Sequence, residues 1–305
     1  MVSWQTTTAS LLGRLTVKQL VKREVSVEKL RAGAGAIERL FPQHPPGFEF
    51  AHDHPLPTCD AEWVRAKGGR TDRMLLHFPG GAYIMRLPNM ERALVARICR
   101  AANAHARLVF YRLAPEHPYP AGHEDCLGAY RQLLALGIAA DRIVLSGISA
   151  GGGMVLGVLM ALRDAGLPLP AGAIAMSPLT DLLDPHTATG SRVVNAQRDP
   201  VLSSHRGVAM RDLYVGGASE RLTHPYVSPV YGDFAGLPPM FFQVGSTEIL
   251  LDDSKRCVER ARAAGVAAEV EVWQRMPHGW QGMPFVPESD RAIERIGDFV
   301  RGCCP

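Results

Sequence analysis

One serine has the surroundings of a nucleophile. Gly147-Ile148-Ser149-Ala150-Gly151 fits G-x-S-x-G, between an apolar run, Arg142 to Ser146, and a glycine-rich helical stretch from about Ala150 to Ala165. A sharp turn from strand to helix lifts a serine oxygen above the sheet, and small flanking residues let the two elements pack closely. The amide of Ala150 then falls at a helix N-terminus, where developing negative charge is stabilised. This arrangement suits attack on a carbonyl.

Such a serine needs a base, and the base needs an acid to orient it. Behind an elbow of this kind the order along the chain is serine, acid, histidine. The run Met240 to Val244 leads into Ser246-Thr247-Glu248, and AEVEVW, Ala268 to Trp273, leads into Met276-Pro277-His278. That order and the preceding strand single out His278 among 11 histidines. Three acids compete: Glu248, Asp252 and Asp253. The two aspartates open DDSKRCVERA and read as helix caps. Glu248 lies in the loop proper and is preferred. A second source of oxyanion amides is HFPGGAY, His77 to Tyr83, where Gly80-Gly81-Ala82 follow the run Met74 to Phe78.

These residues must be held by a scaffold. Apolar runs alternate with helical stretches: strands at 74–78, 107–111, 142–146, 172–176, 240–244 and 268–273, helices at 89–102, 124–136, 150–165, 254–264 and 288–300. Uniformly apolar strands alternating with helices indicate a mainly parallel sheet covered on both faces. Residues 1–45 carry Leu11, Leu12, Leu15, Leu20, Val21, Val27 and Leu30 at helical spacing, and FPQHPPGF then breaks the pattern. The stretch 181–229 has helical material but no buried strand. Both segments read as a helical cap over the carboxyl ends of the strands of a catalytic domain, 46–305. Their apolar faces are expected to be buried there.

Composition narrows the function. With 47% hydrophobic and 21% charged residues, the chain is globular and its core needs neither metal nor disulfide. A net charge of +3 with no basic run gives no nucleic-acid footprint. The six cysteines show no zinc spacing and fit a reducing compartment. Neither a secretory leader pattern nor a membrane span is apparent, so the cytoplasm is expected. The oligomeric state is left open, a homodimer included.

From about Arg73 onward the sequence resembles the bacterial hormone-sensitive-lipase-like esterases, a branch of the α/β hydrolases. The resemblance rests on HFPGGAY, YRLAPEHPYPAGHEDC, SGISAGGG, SPLTDL, LPPMFFQVGSTEILLDD and MPHGW. It implies Ser149 as nucleophile, Glu248 as acid and His278 as base. It places oxyanion amides on Gly81, Ala82 and Ala150, with Gly80 supporting the loop and the YRLAPEHPYPA block bracing it. It implies hydrolysis of short- to medium-chain acyl esters without metal or organic cofactor. Tyr83, Met85, Met210, Tyr214, Trp280 and Phe285 are offered as walls of the substrate pocket. The same triad also serves lactones and amides, and the fold hosts binding proteins that have lost catalysis. Two positions depart from the family pattern: Pro79 stands where histidine is usual, and Ile148 where aspartate usually precedes the serine.

Overall fold

Apolar runs become strands of one sheet in the computed structural model, which describes residues 2–22, 26–70, 72–183 and 190–305. In chain order they are β1 (Phe48–Ala51), β2 (Asp60–Ala66), β3 (Met74–Phe78), β4 (His105–Phe110), β5 (Ile143–Ile148), β6 (Gly172–Met176), β7 (Met240–Gly245) and β8 (Ala268–Trp273). The spatial order is β1-β2-β4-β3-β5-β6-β7-β8. Every pair from β4 to β8 is parallel, and β2 runs antiparallel to both β1 and β4.

The period of two sorts the core into two layers. Met74, Leu76 and Phe78 pack into one cluster, whereas Leu75 packs into the other. The first cluster is covered by α5 (Ala121–Ala135), α6 (Ala150–Asp164) and α9 (Leu251–Ala263), and the second by α4 (Pro88–Ala102) and α10 (Pro287–Cys303). Helix α6 is buried on every side from Ala150 to Leu162, as an apolar helix inside a core must be. Helix α10 is amphipathic, with Ile293, Ile296 and Val300 inward.

The sequence reading missed β1 and β2. Strand β2 carries charge into the interior, because Glu62 is buried and paired with Arg92 of α4. Strand β8 is not uniformly apolar. It is the sheet's edge, and its glutamates alternate with half-buried residues.

The helical cap is built from α1 (Trp4–Leu15), α2 (Val17–Lys22) and α3 (Val27–Glu38) with the segment that holds α7 (Ser191–Val194) and α8 (Ser204–Val215). Part of the expected insertion, 184–189, lies outside the described residues, as do the side chains of Leu20 and Val21. The expectation that the N-terminal apolar faces are buried holds for Leu30 but not for α1: Leu11, Leu12 and Leu15 are 56%, 56% and 64% exposed. Helix α1 instead docks through its polar face. Ser3 caps it and, with Thr6, binds the buried carboxylate of Glu288 at the start of α10.

Candidate active site

Five adjacent parallel strands deliver the candidate residues to one edge of the sheet. Ser149 follows β5, the loop of Gly80 to Ala82 follows β3, Ser177 follows β6, Glu248 follows β7 and His278 follows β8. Because parallel strands all end on the same side, residues far apart in sequence converge there.

Ser149 directly follows β5 and is the N-cap of α6, at φ 56°. That left-handed backbone is costly for a residue with a side chain, and the surroundings hold it. Its N–H donates to Met176 and its carbonyl accepts from Leu179 and Gly153. Close packing around the turn demands glycine at 151, where a Cβ would lie 1.9 Å from the Phe78 carbonyl oxygen. Ala82, Tyr83 and Ser177 also have positive φ, so left-handed non-glycine residues gather at this edge.

The sequence-predicted acid, base and serine come together. Nε2 of His278 lies 2.9 Å from Ser149 Oγ, and Nδ1 lies 2.7 Å from Glu248 Oε2. Glu248 has no exposed surface, and its other oxygen accepts from Ser177 Oγ at 2.8 Å and from the Gly245 amide at 2.6 Å. Burial pushes the His278 pKa down, but the hydrogen bond and charge of Glu248, with the charge of Asp199, outweigh it and raise the value above that of an ordinary imidazole. The competing acids point elsewhere and are not helix caps. They sit inside the first turn of α9, where Asp252 accepts from the Ser191 amide. Asp253 accepts from the amides of Thr180 and Asp181 and pairs with Arg192.

The Gly80 amide is occupied, because it donates to Glu91 Oε1 at 2.9 Å. The other Glu91 oxygen is 3.0 Å from His77 Nε2, and His77 Nδ1 is 2.8 Å from Ser146 Oγ. All three side chains are fully buried. Gly80 thus supports the loop, whereas the amides of Gly81, Ala82 and Ala150 have no acceptor among the described residues. Gly81 has φ +114°, and a Cβ there would lie 2.1 Å from the Met85 carbonyl oxygen. The expected bracing is present: Tyr111 OH donates to the Pro79 carbonyl at 2.8 Å, and the Ala114 amide donates to Tyr83.

Several residues that hold the site went unread in the sequence. Glu91 carries no local motif of its own, whereas Ser177 opens SPLTDL and His77 stands inside HFPGGAY. Asn195 donates to the carbonyls of Ser246 and Glu248, and Asp199 accepts from the Ile249 amide. The cap thereby clamps the acid loop.

Comparison with known proteins identifies the family. Residues 75–282 match the family model of the alpha/beta hydrolase fold. An acetyl-hydrolase of Streptomyces hygroscopicus is 40% identical over 84% of this chain and 83% of its own. An esterase of Acinetobacter venetianus is 32% identical over 96% of this chain and 94% of its own. The crystal structure of an esterase from the bacterial hormone-sensitive lipase family superposes with a TM-score of 0.91 at 37% identity, covering 100% of both chains. The chain belongs to the bacterial hormone-sensitive-lipase-like esterases of the α/β-hydrolase fold. It is an ester hydrolase.

The family's two variable positions have structural accounts here. Pro79 keeps a carbonyl that the Tyr111 hydroxyl needs and lacks only an N–H. Ile148 is buried in the sheet's apolar layer, and a Cβ on Gly279 would lie 3.7 Å from its Cδ1, so it packs beside the histidine loop.

Among the residues offered as pocket walls, Tyr83 and Tyr214 stack with ring centroids 3.8 Å apart. Burial raises the pKa of both phenols, so they stay neutral. Met85 and Met210 pack with Ala82, Ile84 and Leu30, next to the loop of Gly80 to Ala82. Trp280 departs from the expectation. It has no exposed surface and packs with Met276 and Ala292, supporting the histidine loop from behind. Phe285 lies 57% exposed just before α10.

Proposed function

We propose that this ester hydrolase is a serine carboxylesterase acting on short- to medium-chain acyl esters through an acyl-enzyme. The observation that carries the reading is the unbroken hydrogen-bonded line from Glu248 through His278 to Ser149. Ser149 Oγ attacks the ester carbonyl while His278 Nε2 takes its proton. The oxyanion is met by the amides of Gly81, Ala82 and Ala150. Collapse expels the alkoxide, which takes the proton from His278, and leaves the acyl group on Ser149. A water molecule, deprotonated by His278, then attacks the acyl carbonyl. The acid leaves and Ser149 regains its proton.

Glu248 keeps the Nδ1–H tautomer and stabilises the imidazolium that forms twice per turnover. The acyl chain is assigned to the wall formed by Tyr83, Tyr214, Met85 and Met210. The stacked tyrosines limit its depth, which favours short chains, and the acetyl-hydrolase relative supports that preference.

The test is kcat/KM on p-nitrophenyl acetate, butyrate, octanoate and palmitate, with p-nitroacetanilide alongside. The reading expects acetate to octanoate to be hydrolysed well, palmitate poorly and the anilide hardly at all. A maximum at palmitate, or equal rates on anilide and ester, contradicts it.

A further inference from the structure

Helix α1 is amphipathic the wrong way round for a helix on a protein surface. Its only buried residue is Thr6. The face against the body is polar or small: Ser3 and Thr6 on Glu288, and Gly13, whose Cβ would lie 3.1 Å from the Pro200 carbonyl oxygen. The Glu288 carboxyl is held down at about 2; its burial opposes this, and the bonds from Ser3 and Thr6 outweigh it. The anchor is therefore ionised and firm at neutral pH. The face toward solvent carries Trp4, 73% exposed, with Leu11, Leu12 and Leu15. Trp4, Leu11 and Leu15 fall at i, i+7 and i+11, on one stripe of the helix. A folded protein gains nothing by showing that stripe to water.

Charge beside the stripe identifies what covers it. Leu11 and Arg14 line a cavity of about 270 Å³ together with Arg198, Thr247 and Arg275. None of these three arginines meets a carboxylate among the described residues, and the side-chain bond that Arg14 makes is to the Arg198 carbonyl. No Asp or Glu occurs before Glu24, whereas Arg14, Lys18, Lys22 and Arg23 do. Three like charges round one cavity repel each other, and an entering anion would relieve that repulsion. An apolar helical stripe with a tryptophan, rimmed by Arg14, Arg198 and Arg275, is the pattern of a helix lying in a lipid interface. Thr247 and Arg275 flank Glu248 and precede His278, so this face adjoins the site without containing Ser149.

We infer that α1 and its arginine-lined cavity dock the enzyme on an anionic phospholipid surface, Trp4 and the leucines entering the acyl boundary and the arginines taking lipid phosphates. The inference stands apart from the ester chemistry, since its readout is binding. The full-length chain is titrated with vesicles of phosphatidylglycerol and, separately, of phosphatidylcholine, with co-sedimentation and quenching by brominated acyl chains as readouts.

Phosphatidylglycerol vesicles are expected to bind about ten-fold or more tightly than phosphatidylcholine, and less so as salt rises. Quenching should fall sharply in Trp4→Phe, because Trp63 and Trp280 are buried and Trp273 is half-buried on the edge strand β8. Leu11→Ser with Leu15→Ser, and separately Arg14→Ala with Arg198→Ala, should each weaken binding about ten-fold or more. Hydrolysis of p-nitrophenyl acetate should not change in either pair. Absence of binding, equal binding to both lipids, or unweakened binding by the variants overturns the inference. So does a self-associated chain that the leucine variants turn into monomer, since the stripe would then be a subunit contact.

Discussion

Nδ1 of His278 lies 2.7 Å from Oε2 of Glu248, and the other Glu248 oxygen is tied to Ser177 and Gly245. The imidazole therefore meets a carboxylate that cannot swing away. This contact, against the cost of burial, raises the His278 pKa. Hydrolysis needs the neutral base, so kcat/KM should fall as pH drops through a midpoint above the ~6.5 of a free imidazole. A midpoint at or below that value in the rate profile for p-nitrophenyl butyrate argues against the coupling. For stability the sign is opposite: the raised pKa contributes fully below ~6.5, and the contribution is lost as pH rises through the folded value.

Glu248→Gln should lower kcat by about 10⁴-fold, because an amide presents the wrong partner to Nδ1–H. Thermal unfolding should change little. Asp253→Ala should do the reverse. It strips the Thr180 and Asp181 amides and Arg192 of their buried acceptor, a loss of about 3 kcal/mol. Denaturant titration beside steady-state kinetics separates the two. An inactive but fully stable Asp253→Ala protein contradicts the assignment of the acid.

Glu91 should control the oxyanion loop from behind. Glu91→Ala frees the Gly80 amide, and kcat is expected to drop about 100-fold with KM nearly unchanged, the scale of one misplaced oxyanion donor. Glu91→Gln keeps an acceptor for Gly80 and a partner for His77, so it should restore most of the rate. Equal losses in both variants would assign the effect to charge instead of position.

Removal of residues before Pro42 should lower activity on small esters and flatten the preference for short chains. Arg31 of α3 donates to the Ile84 carbonyl beside the oxyanion loop at 2.8 Å. Glu38 accepts from the Asn89 and Met90 amides, capping the helix that carries Glu91. Chain-length profiles of full-length and truncated protein give the answer, and an unchanged profile in a folded truncation counts against a role for these helices.

Local pattern made the centre of this fold legible. Strands β3 to β7 are apolar runs because both their faces are covered, and the glycines round Ser149 mark a turn that admits no Cβ at 151. Serine, acid and histidine follow in an order that parallel strands bring to one edge. What depends on distant partners was not legible. Glu62 disguised β2, since a buried carboxylate reads as exposed until Arg92 is seen beside it. Asp252 and Asp253 looked like caps because their amide and guanidinium partners lie at least 60 residues away. Trp280 looked like a pocket wall, yet Met276 and Ala292 enclose it. The apolar periodicity of α1 was legible, but the face it would turn inward was not, because Glu288 draws in the serine and threonine.

The central claim is that Ser149 carries the acyl group, and covalent trapping tests it most directly. The chain is incubated with diethyl p-nitrophenyl phosphate, digested, and the modified peptide identified by mass spectrometry while residual hydrolysis is followed. One diethyl phosphate should appear per chain, on the peptide containing Ser149, in step with loss of ester hydrolysis, and Ser149→Ala should take up none. Stoichiometric labelling at another residue, or full hydrolysis by Ser149→Ala, would contradict the account.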